Sequence, residues 1–264
     1  MPQTPSLSLL SCVMPWGCAE MASVDVVIPV LNEEHSLPGC IETLKGFLTE
    51  RLAEHDWRIL VADNGSTDDT LAVARRYADE DPTRVAYIHL DERGRGRALR
   101  KAWLDSNRDI LTYMDVDLST GLDAFPSLVN AIAEDGYHVA TGSRLARGSR
   151  VTRSFKREAI SRVYNLIIKA SFFTRFSDAQ CGFKAVSREA ANLLVPAIVN
   201  NHWFFDTELL IIAEKGGFRV KDIPVTWKED PDTRVKVVGT AMEDLKGLAR
   251  LRFKGIPIVG PSTS

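Results

Sequence analysis

Cysteine is scarce in this chain, and long apolar runs are missing from it. The four cysteines, Cys12, Cys18, Cys40 and Cys181, stand far apart with no Cys-x-x-Cys pair. That pattern fits a reducing compartment and offers no zinc site. No stretch approaches the ~20 consecutive apolar residues of a membrane-spanning helix. Residues 1–20 hold no Lys or Arg, so the positive flank of a signal peptide is lacking. Residues 1–21 are therefore expected to be a disordered tail, or an upstream extension to a chain that starts at Met21. Glycine-rich cofactor loops are absent too. The first strand runs into Pro29-Val30-Leu31-Asn32-Glu33, no G-x-x-x-x-G-K-[ST] occurs, and Gly94-Arg95-Gly96 lies far along and lacks a third glycine. This argues against dinucleotide oxidoreductases and P-loop NTPases. No Ser, His and Asp follow nucleophile-elbow spacing, and the five histidines (His35, His55, His89, His138, His202) do not cluster. A net charge of −2 argues against nucleic acid as a partner.

What is present is the texture of a globular α/β protein, 45% hydrophobic and 26% charged. Val24 to Val30 is a near-continuous apolar run, as in a strand buried on both faces. Leu37, Ile41, Leu44, Phe47 and Leu48 then recur at helical spacing. Strands follow at Arg58–Ala62, Val85–His89 and Ile110–Met114, with a helix after a Ser66 or Thr67 cap and another over Ala98–Leu104. This alternation predicts a mainly parallel, doubly wound sheet flanked by helices. A helix is expected around Asp206–Lys215 and a single strand from Arg219 to Trp227. The expected domain covers 22–235, with a basic amphipathic helix at 236–254 and a flexible tail at 255–264.

In such sheets ligands sit beyond the carboxyl ends of the strands. Those ends carry Asn32-Glu33-Glu34, Asp63-Asn64-Gly65-Ser66, Asp91 with Arg93-Gly-Arg-Gly-Arg97, and Asp115-Val116-Asp117. Asp115 and Asp117 directly follow a buried strand, where two like charges need a partner. A divalent cation, Mg²⁺ or Mn²⁺, bridging them to a diphosphate would supply one. A second constellation is basic. Arg144, Arg147, Arg150, Arg153, Lys156, Arg157 and Arg162 fall within 19 residues, opposed there by Glu158 alone. Ile160, Val163, Tyr164, Ile167, Ile168 and Phe172 follow as an apolar stripe that reads either as core or as a membrane-surface face.

Val-Ile-Pro-Val-Leu-Asn-Glu-Glu, Ala-Asp-Asn-Gly-Ser-Thr-Asp, Arg-Gly-Arg-Gly-Arg-Ala and Asp-Val-Asp, in this order, resemble the inverting GT-A glycosyltransferases of family 2. Gly142-Ser143-Arg144 and Asp178-Ala-Gln-Cys-Gly-Phe-Lys184 are similar to its polyprenyl-phosphate branch. Phe205-Asp206-Thr207-Glu208 and Val225-Thr-Trp227 resemble the dolichyl-phosphate glucose synthases within it. The resemblance implies a metal-dependent hexosyltransferase working on a nucleotide sugar, UDP-glucose favoured, and a polyprenyl phosphate. It places Pro29, Asn32, Glu33 and Asp63 at the base and ribose, and Arg95 near the diphosphate. The metal falls to Asp115 and Asp117, and the acceptor phosphate to Arg144, Arg157 and Ser161. Asp178 would orient the acceptor or take a proton, Gln180 would touch sugar or acceptor, and Lys184 is either functional or a surface lysine. Asn64 stands where relatives often carry a second aspartate. Without a membrane span, such an enzyme is expected to be peripheral on the cytoplasmic face of a membrane. GDP-mannose as donor, a non-lipid acceptor, and a non-catalytic nucleotide-sugar-binding membrane protein remain open.

Overall fold

In a computed structural model, which describes residues 21–229 and 237–261, β1 (Ser23–Val30) runs through the centre of the sheet and is buried from Val24 onward. It pairs in parallel with β2 (Asp56–Asn64) and β4 (Ile110–Met114), and β3 (Val85–Leu90) extends the parallel set beyond β2. β5 (Val139–Ser143) belongs to the other half. β6 (Arg150–Thr152) lies outside the main sheet, while β7 (Phe183–Ser187) enters antiparallel between β4 and β5. β8 (Val220–Pro224) closes the far edge alongside β5, giving seven strands in the order β3-β2-β1-β4-β7-β5-β8.

Alternation along β1 feeds two cores, because successive strand side chains point to opposite faces. Val24, Val26, Ile28 and Val30 pack with α1 (Ser36–Arg51), α2 (Thr70–Glu80) and, past α3 (Arg95–Asp105), with α4 (Phe125–Ala133). Val27 joins the other core, built with α3, α5 (Phe155–Phe172), α6 (Arg188–Leu194), α7 (Phe205–Lys215) and α8 (Val237–Lys254). Asp25, on that second face, is fully buried and takes a two-pronged contact from Arg58, whose Nε and Nη2 lie 2.9 and 2.8 Å from its oxygens. It sits at the amino end of the strand, away from the candidate site, and the pair joins register partners of β1 and β2.

Three local expectations change. The single strand predicted over Arg219–Trp227 is two. β8 ends at Pro224, which lacks an N–H to continue the ladder, and β9 (Thr226–Lys228) crosses to pair with β6 in a separate two-stranded sheet. The second helix begins at Thr70, later than a Ser66 or Thr67 cap implies. Ser66 instead accepts a bond from the Asn32 N–H (2.9 Å), and Asp68 accepts one from the Thr70 N–H (3.1 Å). Of the tail expected to be flexible, Ile256 and Val259 pack against the core, and the Val259 carbonyl lies where a Cβ on Gly216 would be, 1.9 Å away. Residues 1–20, expected to be a disordered tail or an upstream extension, lie outside the described residues. No helix among them is long and apolar enough to cross a membrane.

Candidate active site

The carboxyl ends of β1 and β2 are stitched together by side chains. Asn32 adopts a left-handed backbone (φ 57), which asparagine tolerates better than most residues. Its Oδ1 accepts from the Thr67 N–H at 2.8 Å. The Glu33 N–H donates to Thr70 Oγ1 at 2.7 Å, and Pro29 sits buried opposite Ala62 in the strand pair. Asp63 is fully buried. One oxygen accepts from the Ser66 N–H at 3.1 Å, while His89 Nδ1 lies 2.6 Å from the other. His89 is a member of this cluster that sequence spacing did not single out. Asn64 has its own explanation: Nδ2 donates to the Val30 carbonyl (2.7 Å) and Oδ1 accepts from the Gly94 N–H (3.2 Å). An ionised aspartate could accept but not donate, so the amide suits this position.

Asp115 and Asp117 follow β4 as expected, and the structure adds what surrounds them. Asp115 is half-buried, and Arg95 Nη2 donates to its Oδ1 at 2.6 Å. The other end of that guanidinium, Nη1, donates to Asp206 Oδ2 at 2.7 Å. Asp206 in turn accepts from the Tyr113 hydroxyl and lies 3.2 Å from Lys184 Nζ. Burial is the largest influence on Arg95 and opposes its charge, but Asp115, Tyr113 and Asp206 together outweigh it and raise its pKa. Burial likewise opposes charge on Asp206, and Lys184 and Arg95 outweigh it, holding that carboxyl below its usual range. Lys184 is no surface lysine. It is completely buried and also donates to the carbonyls of Cys181 (2.6 Å) and Ala179 (3.3 Å).

The approach of Asp115 depends on Gly182, where a Cβ would fall 1.9 Å from Asp115 Oδ2. Asp117 is exposed, with the Ser119 N–H on its Oδ1 at 2.9 Å. Leu118 between them is left-handed (φ 50), a conformation a leucine holds only when its surroundings impose it. Among the described residues no three His, Cys, Asp or Glu side chains converge into a cage for a metal. Two carboxylates at one strand end nevertheless fit Mg²⁺ or Mn²⁺, cations that complete their shell with phosphate oxygens and water.

Across β7 lies the basic side. Arg144, at the end of β5, is bound through Nε (2.7 Å) and Nη2 (2.9 Å) to the carboxylate of Asp178, which also accepts from the Arg144 N–H (3.1 Å). The guanidinium stands 5.5 Å over the Trp227 ring. Burial disfavours a charged Asp178, but Arg144 outweighs it and keeps its pKa low. The carboxylate is thus committed to Arg144, an anchor more than a proton acceptor. Arg157 on α5 pairs with Glu229 (2.9 Å). Ser161, one turn on, is buried with its Oγ unpartnered among the described residues. Its helix is tied to the same loop through Asn165, whose Oδ1 accepts from the Ala179 N–H at 2.9 Å. Arg153 and Arg162 both meet Glu158. The basic run is thus opposed by Asp178 and Glu229 as well as Glu158, leaving Arg147, Arg150 and Lys156 exposed.

The apolar stripe on α5 divides. Tyr164, Ile168 and Phe172 are core, while Ile160, Val163 and Ile167 are exposed together with Leu166. Helix α8 docks beside this site. Arg250 Nη2 lies 2.8 Å from buried Glu208, and Asp244 Oδ2 accepts from Gln180 Nε2 at 2.8 Å. Asp244 is 2% exposed and its Oδ1 has no partner among the described residues. Burial, then the nearby Glu243 and Asp206, push its carboxyl up to about 7. Asp206 was visible in sequence only as part of a resembling string, and Asp244 not at all, because nothing local distinguishes either from a solvated acid.

Residues 25–194 match the family described as Glycosyl transferase family 2. The chain belongs to that family. Glycosyltransferase AglD of Haloferax volcanii is 40% identical over 220 residues, covering 81% of this chain and 34% of that protein. The dolichyl-phosphate beta-glucosyltransferase of Homo sapiens is 30% identical over 249 residues, covering 88% and 75%. The chain thus spans about a third of the length of the Haloferax relative. Among solved structures, glucosyl-3-phosphoglycerate synthase from Mycobacterium tuberculosis, in complex with Mn²⁺, UDP-glucose and phosphoglyceric acid, superposes with a TM-score of 0.66 at 18% identity, covering 89% of this chain and 80% of that one. The mainly parallel sheet with its helical layers is the GT-A fold expected from the sequence.

Proposed function

We propose that this family 2 member transfers glucose from UDP-glucose to a polyprenyl phosphate, with inversion at the anomeric carbon, as a peripheral enzyme on the cytoplasmic face of a membrane. The observation that carries this reading is the meeting, at one sheet edge, of the Asp115–Asp117 pair with the Arg144–Asp178 ion pair across β7. Relatives named as dolichyl-phosphate beta-glucosyltransferases support the acceptor and the sugar. Neighbours of the same fold crystallised with Mn²⁺ and UDP-glucose support the donor and the metal.

Each group then has a task. The β1–β2 loops around Asn32, Glu33 and Asp63 hold the base and ribose, and Arg95 faces the diphosphate. Asp115 and Asp117 would hold Mg²⁺ or Mn²⁺, which when bound offsets charge on the departing diphosphate. Arg144 and Arg157 hold the lipid phosphate, a job suited to the guanidinium fork, and the Ser161 hydroxyl supplies a further bond. A phosphate oxygen attacks the anomeric carbon as the bond to UDP breaks. With a second phosphate pKa of ~6 the nucleophile is already largely ionised at neutral pH, so positioning matters more than a base. This agrees with an Asp178 spent on orienting Arg144. The exposed Val163, Leu166 and Ile167 on α5, flanked by exposed Lys156, Arg162 and Lys169, form a face for an anionic bilayer, each basic residue adding ~1 kcal/mol near the surface.

The test is a donor screen with purified protein, Mg²⁺ or Mn²⁺ and a short polyprenyl phosphate, following the lipid product. Glucosyl lipid from UDP-glucose is expected. Product from GDP-mannose alone would replace the donor, and nucleotide release with no lipid product from any donor would discard the acceptor.

A further inference from the structure

Asp115 has a cation before any metal arrives. Arg95 reaches it at 2.6 Å and reaches Asp206 at 2.7 Å with its other arm. Its guanidinium lies over two rings, 4.8 Å from that of Tyr113 and 5.0 Å from that of Trp203. The two acids are not equally dependent on it. Asp206 keeps Lys184 Nζ at 3.2 Å and the Tyr113 hydroxyl if Arg95 moves. Asp115, as an ion-pair acceptor, has Arg95.

The backbone around Arg95 is clamped. A Cβ on Gly94 would lie 2.6 Å from the Asn201 carbonyl oxygen, one on Gly96 would lie 2.7 Å from Phe205 Cβ, and the Arg97 N–H donates to Asn201 at 3.0 Å. Only the side chain is free to exchange partners. A bare divalent cation must take Asp115 from this guanidinium, stranding a mostly buried positive charge beside a carboxylate that Lys184 already shares; uncompensated buried charge is costly. A cation arriving with a nucleoside diphosphate removes that cost, because the phosphate oxygens offer the guanidinium a matched anion.

Resting on the metal assignment above, we infer that Arg95 is a positioning residue that holds Asp115 until the diphosphate takes it over, so that metal and nucleotide bind cooperatively and the bare metal binds poorly. By linkage the coupling is reciprocal: whatever factor the nucleotide adds to metal affinity, the metal adds to nucleotide affinity.

Calorimetric titration of the full chain with Mn²⁺, with and without saturating UDP, tests this in the wild type, Arg95→Gln and Arg95→Lys. In the wild type UDP is expected to tighten Mn²⁺ binding by about tenfold or more. In Arg95→Gln, Mn²⁺ alone binds about tenfold tighter than to wild type, and UDP adds little. Arg95→Lys, whose single ammonium cannot span both acids, falls between the two and decides the matter should the glutamine variant fail to fold. Bare-Mn²⁺ affinity in the variants equal to or weaker than wild type overturns the inference while leaving the metal site standing. No Mn²⁺ binding to wild type, even with UDP, overturns the metal site and this inference together.

Discussion

The β1–β2 loops and the α5–α8 surface, on opposite sides of Asp115, handle their polar groups in contrasting ways. Around β1 and β2, Asn32, Asp63, Asn64 and Ser66 are bonded to partners distant in sequence, and the Gly94–Gly96 turn is clamped against Asn201 and Phe205. Around α5 and α8, Ser161 Oγ and Asp244 Oδ1 are buried without partners among the described residues, and large apolar side chains face outward. The β1–β2 side is ready before its ligand comes, and preorganised sites lose little on binding. The other side carries unmet hydrogen-bonding capacity and apolar surface, features that a ligand with a phosphate and a hydrocarbon chain would satisfy together.

Substitutions can break this contrast in descending order of effect. Asp117→Asn, on the exposed arm of the acid pair, is expected to lower turnover by ~10³-fold with an unchanged melting temperature, the scale of losing a key electrostatic group. Near-normal turnover in the purified variant would remove Asp117 from the chemistry. Gly182→Ala pushes a methyl into the Asp115 carboxylate, and displacement of that order costs ~10²-fold in turnover. A full-rate Gly182→Ala enzyme would show that the placement of Asp115 is not critical.

Arg157→Ala tests the acceptor side alone. A charge-assisted bond is worth ~2 kcal/mol, so roughly 30-fold is expected on KM for polyprenyl phosphate with UDP affinity spared; unchanged lipid kinetics would take Arg157 out of the acceptor site. Asp244→Asn addresses stability. A carboxyl raised to about 7 from an ordinary 3.8 keeps a proton in the folded state that the unfolded chain has lost, so folding stability declines as pH rises from about 4 to about 7. The asparagine should flatten that decline and raise the melting temperature at pH 8. A parallel pH profile in both proteins would show that Asp244 does not titrate in this window.

Much of this architecture could be read from spacing, for a physical reason. Near-continuous, β-branched apolar runs at Val24–Val30 and Ile110–Met114 are too short for helices and suit strands covered on both faces, and a doubly wound sheet presents the residues after them at one edge. Asp115, Asp117, Asp63 and Asn32 were therefore visible as strand-end groups. Lys184 and Asp206 were not legible in the same way. They lie inside regular elements, and their burial is stabilised by each other across β7 and α7, a pairing that no local pattern records. The ion pair between Arg95 and Asp115 was hidden likewise, since the acids were expected to await a metal, not to start with a guanidinium. The break at Pro224 carried a local signal, the missing N–H, within a segment whose apolar residues otherwise run on to Trp227.

Trp203 and Trp227 give the molecule a built-in optical readout. Each indole lies under an arginine, Trp203 under Arg95 at 5.0 Å and Trp227 under Arg144 at 5.5 Å. Trp57 and Trp103 are sealed in the interior. A guanidinium that leaves one ring for a phosphate changes the polarity felt by that indole and hence its emission. Trp203→Phe should erase the emission change on adding UDP with Mn²⁺, and Trp227→Phe the change on adding a short polyprenyl phosphate. With both dyes native to the chain, the order in which donor and acceptor arrive becomes a stopped-flow measurement that needs no label.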